Sequence, residues 1–207
     1  VTRGVRKGLT RELILAAAFQ IIENEGGEAL SMRRLGNALG VAAMAVYNHF
    51  PDREHLLDAM AETALSQIPL DEHKNNWKKQ VKSITRSIAQ IALEKPAVFA
   101  LCMSRPNKPR AALVLMSKVL EALRQGGLSD KESLLCYHSL LILLHGFPFW
   151  QAGVDKYCSN PTEVGPYADL SSQEKKDLKL VNAVDPGKQF EATVALLLDG
   201  FASKSHQ

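Results

Sequence analysis

The chain has 207 residues, 46% apolar and 23% charged, the balance of a globular protein long enough to bury a sizeable core as one large domain or two small ones. A net charge of +3 is too weak to hold a nucleic acid or an acidic surface in bulk, so any such contact depends on where individual cations sit. Cys102, Cys136 and Cys158 are scattered without metal-ligand spacing, the opening residues lack the apolar run of a signal peptide, and Leu140 to Leu144 is too short to span a bilayer, so a cytoplasmic protein with reduced thiols, no metal, no cofactor and no membrane partner is expected.

Residues 1–8 carry Arg3, Arg6 and Lys7 with no acidic group. Such an arm can follow a phosphate backbone or enter a minor groove, and it can equally be an unstructured tail. Thr10 then caps a helix through about Asn24, with Ile14, Ala17, Ala18, Ile21 and Ile22 as its inner stripe and Gly26-Gly27 as its stop. Ser31 opens a second helix with Met32, Leu35, Ala38 and Leu39 inward, and Gly40 is placed to end it in the left-handed conformation. Ala42 to His49 reads as a third helix with Val46 inward. Two helices joined through a tight glycine turn form a helix-turn-helix, whose second helix enters the major groove of DNA.

The residue types fit that use. Ala43, Met44 and Ala45 stand near the start of the third helix, where small or flexible apolar side chains can touch thymine methyl groups. Tyr47, Asn48 and His49 stand at its far end, and Tyr47 and His49 can donate to phosphate oxygens. Arg33 is long enough for a phosphate or a guanine edge. Arg53, in the first turn of a helix capped by Asp52, reads as a phosphate clamp. With Ser31 these residues and the arm make up the expected DNA-contacting set.

Arg53 to about Gln67 continues with Leu56, Leu57, Met60, Ala64 and Leu65 inward, and Pro69 with the polar run after it marks a boundary between domains 9–68 and 69–207. Beyond it every period is helical: Trp77 to about Leu93, Pro96 to about Met103, and Arg110 to Gln125 with Leu113, Met116, Leu120 and Leu123 inward. Ser129 and Glu132 form a capping box for a helix apolar nearly all round from Leu134 to Phe149, which Gly146 and Pro148 are expected to kink or end. A polar loop over 153–170, a charged helix opened by a second capping box at Ser171, and a last helix over 186–203 complete an all-α chain.

Residues 9–60 resemble the DNA-binding domain of the tetracycline-repressor (TetR) family of bacterial transcription regulators. The match rests on Glu25-Gly26, Leu30 to Leu35, Leu39-Gly40-Val41, Val46 to Phe50 and Leu56 to Ala59 in that order and spacing. Ala43, Met44 and Ala45 stand where many relatives carry hydroxyl or amide groups, so base preference does not carry over. Pro51-Asp52-Arg53 replaces the commoner Asn-Lys. Leu143-Leu-His145-Gly146-Phe147 is similar to the Trp-His-Gly signature of some relatives, with leucine before the histidine here.

The resemblance implies a regulator, most simply a repressor, that binds a palindromic double-stranded operator as a homodimer and is released by a small effector, with helix 53–67 as the lever between domains. The over-apolar helices 129–147 and 186–203 are expected to pair with their symmetry mates in a four-helix bundle. Phe99, Cys102, Met103, Met116, Tyr137, Leu141, His145, Phe147, Phe149 and Trp150 are the candidate lining of a pocket for an apolar or aromatic effector, and a fully packed core remains open for each. His138 and His145 lie about two turns, roughly 10 Å, apart, too far to share one metal. Two other readings stand beside this one: a monomeric DNA-binding module with a structural C-terminal half, and a helical enzyme using His138, His145, Asp155 or Asp199. No nucleophile–base pair or phosphate-binding glycine loop supports the enzyme.

Overall fold

A computed structural model describes residues 8–70, 73, 75–105, 108–157, 170–183 and 185–204, and these form helices joined by turns, with no strand. In chain order the helices are α1 (Arg11–Glu25), α2 (Met32–Leu39), α3 (Ala43–Tyr47), α4 (Arg53–Ser66), α5 (Trp77–Glu94), α6 (Pro96–Met103), α7 (Arg110–Gln125), α8 (Asp130–Tyr157), α9 (Ser172–Asn182) and α10 (Pro186–Lys204), with a 3-10 turn over Gly27–Ala29. The chain divides into two compact units. One holds the residues up to Pro69 together with Gln90–Met116; the other holds Leu70–Ala89 and Ser117–Gln207. Segment 90–116 therefore groups with the N-terminal helices.

Local chemistry sets most boundaries in the first unit. The hydroxyl of Thr10 accepts from the Leu13 N–H (3.3 Å) and that of Ser31 from the Arg34 N–H (3.1 Å), each satisfying a helix donor that would otherwise lack a partner. Gly40 sits at φ 67°, ψ 30°, the left-handed geometry that turns α2 into α3. Gly36 lets the two helices close up, since a Cβ there would lie 2.9 Å from the Val41 carbonyl oxygen. Ile14, Ala18, Ile22, Leu35, Val46, Phe50, Leu56 and Met60 are buried together as the core of this head. The recognition segment is shorter than its sequence suggests: α3 ends at Tyr47, and Asn48 and His49 form a turn.

In the second unit, Val81 and Ile84 of α5, Leu123 of α7, Cys136, Leu140, Leu144 and Phe147 of α8, and Phe190, Val194 and Leu198 of α10 are buried. The Phe147 and Phe190 rings pack 4.4 Å apart between centroids. Two expectations are corrected here. First, α8 does not end at Gly146 or Pro148 but runs through Pro148 to Tyr157, taking in the start of the expected loop; residues 158–169 lie outside the described residues. Proline withdraws one hydrogen bond, about 3 kcal/mol in a helix interior, and the helix continues past it all the same. Second, the inner face of α7 is Ala111, Leu115, Val119, Ala122 and Leu123, while Leu113 is 39% exposed. Two alanines on that face allow close approach, and the stripe rotates toward them.

Candidate functional site

The head projects α3 outward. Val46 is fully buried and anchors the helix, while Met44 is 70% and Tyr47 43% exposed; Ala43 and Ala45 are half-buried beside them. Asn48 is exposed and His49 half-buried. Arg11 fastens the far end of α3: its guanidinium donates to the His49 carbonyl (2.5 Å) and lies 4.1 Å from the centroid of the Phe50 ring. That anchoring role is not visible in the sequence, because 38 residues separate the partners.

The expected cations divide sharply. Arg33 is exposed, with no partner among the described residues. Its neighbour Arg34 is tied to Glu25 by two hydrogen bonds (2.5 and 3.1 Å), and that arginine holds the Glu25 carboxyl below its usual range. Ser31 is exposed but occupied as the α2 cap. Arg53 donates from its Nε to the Leu30 carbonyl (2.9 Å) and from its Nη2 to the Gly27 carbonyl (3.0 Å), which ties α4 to the turn before α2, and its side chain stays 40% exposed. Asp52 caps α4 by accepting from the His55 N–H (2.8 Å). Arg3, Arg6 and Lys7 lie outside the described residues.

The candidate effector residues are divided between the two units. In the first unit Phe99 and Cys102 are buried, and Met103 and Met116 half-buried; burial pushes the Cys102 thiol up to about 11, which makes it an inert packing group. In the second unit Phe147 is buried, and Tyr137 and Leu141 are half-buried. His145, Phe149 and Trp150 are all exposed, Phe149 by 82%, and the His145 ring sits 2.7 Å from the Leu141 carbonyl oxygen. The sequence reading also missed a recess of about 130 Å³ lined by Lys82, Arg86, Phe190, Glu191 and Val194, where Arg86 pairs with Glu191 (2.7 Å). Asp199, a residue the enzyme reading would use, accepts from Lys78 (2.6 Å). Among the described residues no three His, Cys, Asp or Glu side chains are grouped to hold a metal ion.

Residues 14–60 match the family model described as bacterial regulatory proteins, tetR family, and residues 68–204 match the tetracyclin repressor-like C-terminal domain. The chain belongs to the TetR family. Its TetR relatives include the HTH-type transcriptional repressor DrrR1 of Streptomyces coeruleorubidus, 32% identical over 148 residues; the match covers 70% of this chain and 53% of DrrR1, so the chain spans about half that relative's length. The same fold is found in ActR from Streptomyces coelicolor (TM-score 0.76, 23% identity, 96% of this chain and 97% of that one). It is found again in BioQ, solved with its double-stranded DNA operator (TM-score 0.67, 22% identity, 94% and 99%). Helix-turn-helix head and all-helical C-terminal part are thus those of this family of regulators, and the relatives carry the names of transcriptional regulators, not of enzymes.

Proposed function

We propose that the chain is a ligand-responsive transcriptional repressor of the cytoplasm, which binds a palindromic operator as a homodimer and is released by a small apolar or aromatic effector. One observation carries the reading: a short helix anchored by Val46 and Arg11 that turns Met44 and Tyr47 to solvent. A five-residue helix makes few base contacts. Two copies about 34–36 Å apart, one turn of DNA, multiply them.

The second unit supports the pairing. Leu135, His138, Ile142, His145 and Phe149 recur every three or four residues along the exposed side of α8. On α10 the 71% exposed Leu196 stands among exposed Ala192 and Gly200. Small residues beside one large apolar side chain suit close helix packing, and a contiguous apolar face on a soluble chain calls for a partner. The segment Asp130–Gly153 is long and apolar enough to cross a bilayer (mean hydropathy 1.3); a second copy of α8 and α10 gives it cover without a membrane. For the effector, support comes from ActR, described in complex with actinorhodin. Effector and operator then oppose each other by population shift, with a coupling of about 1–3 kcal/mol.

The test is selection from random DNA duplexes, with and without a metabolite extract, beside light scattering of the free chain and of Ile142→Lys. A palindromic consensus, a dimer converted to monomer by Ile142→Lys, and loss of binding with extract are expected. A wild-type monomer at micromolar concentration refutes the two-headed reader, and enrichment of no sequence refutes the operator.

A further inference from the structure

The described part of the head, residues 8–69, contains no lysine and four arginines: Arg11, Arg33, Arg34 and Arg53. Three are committed internally, Arg11 to the His49 carbonyl, Arg34 to Glu25, and Arg53 to the Leu30 and Gly27 carbonyls. Arg33 alone of the four has no partner among the described residues, and it stands in the first turn of α2, not on α3. On α3, the side chains at the end that reaches base edges are Ala43, Met44 and Ala45. None carries an N–H or O–H donor, and the only acceptor among them is the weak thioether sulfur. Arginine-to-guanine and amide-to-adenine pairing, the commonest direct contacts, are therefore closed to this end of the helix.

One base-edge group in the major groove matches what is left, the C5 methyl of thymine, which takes apolar contact. Met44 is the side chain built for it. It is the most exposed residue of α3, at 70%, and its three flexible bonds let it settle on a methyl whose position varies with local DNA shape. The small side chains of Ala43 and Ala45 on either side allow the helix to come close.

Resting on the operator reading above, we infer that Met44 is the specificity-determining residue of this head and that it reads thymine by its methyl group, in place of hydrogen bonding from α3. The half-site carries a thymine facing Met44. Tyr47, Asn48 and Arg33 position the head on the backbone and contribute little to base choice.

The test uses the full chain and the duplex enriched by selection, at fixed salt, with each thymine replaced in turn by deoxyuridine, which removes the methyl and nothing else. At one position per half-site affinity falls about fourfold, and about fifteenfold when the symmetric pair is replaced, the scale of one buried methyl at each site. Met44→Ala binds the thymine and uracil duplexes alike, and its melting temperature matches the wild type because the side chain is in solvent. Met44→Gln moves the selected base toward adenine at that position. If the duplex is bound but no thymine is sensitive to the exchange, or Met44→Ala keeps the preference for thymine over uracil, apolar readout is wrong and the operator reading survives. If no duplex is enriched at all, the operator reading fails and this inference falls with it.

Discussion

Helix α4 carries Glu54, Asp58 and Glu62 at four-residue spacing, hence on one face, and all three are held by the chain that follows α6. Arg105 donates to Glu54 (2.6 Å) and to Asp58 (2.5 Å), and the Ala111 N–H donates to Glu62 (2.8 Å). The Arg105 side chain is only 10% exposed, against 35% for Asp58 and 59% for Glu54, and its Nε has no partner. Burial pulls the guanidinium toward the neutral form, and the two carboxylates more than offset it, so its pKa is raised. These exposures predict an asymmetry. Removing Glu54, which is mostly in water, costs under about 1 kcal/mol. Removing Asp58 leaves a nearly buried cation with one solvated partner. Breaking a fully buried pair costs about 3–5 kcal/mol; with Asp58 one-third exposed and Glu54 still present, about 2 kcal/mol is the working figure. At roughly 2–4 °C per kcal/mol for a chain of this size, Asp58→Ala lowers the melting temperature by about 4–8 °C and Glu54→Ala by less than about 4 °C. Arg105→Met removes the charge and keeps the packing, so it costs about 1 kcal/mol or less, and Asp58→Ala becomes nearly silent on that background. Urea unfolding of the single variants and of the Asp58→Ala, Arg105→Met double variant, read as a double-mutant cycle, measures each figure. Equal costs for Glu54→Ala and Asp58→Ala, or an undiminished Asp58→Ala cost in the Arg105→Met background, would refute the reasoning.

Three further outcomes are expected. Arg33→Ala reduces the slope of log affinity against log salt by about 2 for a dimer with one phosphate contact per head, at about 0.9 each, whereas Arg34→Ala leaves it in place because Glu25 already neutralises that side chain; titrations between low and moderate salt decide, and equal effects would show the pairing to be irrelevant. The Asp52 carboxyl is held below its ordinary 3.8 first by the His55 N–H and then by the His55 ring, so its contribution is complete above the unfolded value and lost as pH falls through the lower folded one. The stability gap between wild type and Asp52→Ala is therefore fully present above the unfolded value and narrows as pH falls below about 4, and urea melts in which the gap widens as pH falls through that range contradict the cap. Gly126→Ala drives a Cβ into the Trp77 indole (2.6 Å to Cδ2) and costs about 1–3 kcal/mol by overpacking; thermal melting checks it, and Trp77→Leu restores part of the loss.

What the sequence determined by itself was the caps, the glycine turn and the buried anchor of α3, each set by residues within a turn of one another. Thr10, Ser31, Asp52 and Ser171 cap their helices, Gly40 takes the left-handed turn, and Val46 sits beneath α3, because caps, glycine φ and apolar periodicity are local properties. Tertiary structure alone decided which side chains remain free to act. Arg34 and Arg53 look as available as Arg33 along the chain, yet their partners lie 9 to 26 residues away, and only packing brings those groups together. Likewise α8 passes through Pro148, and α7 buries alanines ahead of Leu113, since the sum of contacts across elements outweighs a single lost hydrogen bond or a larger side chain.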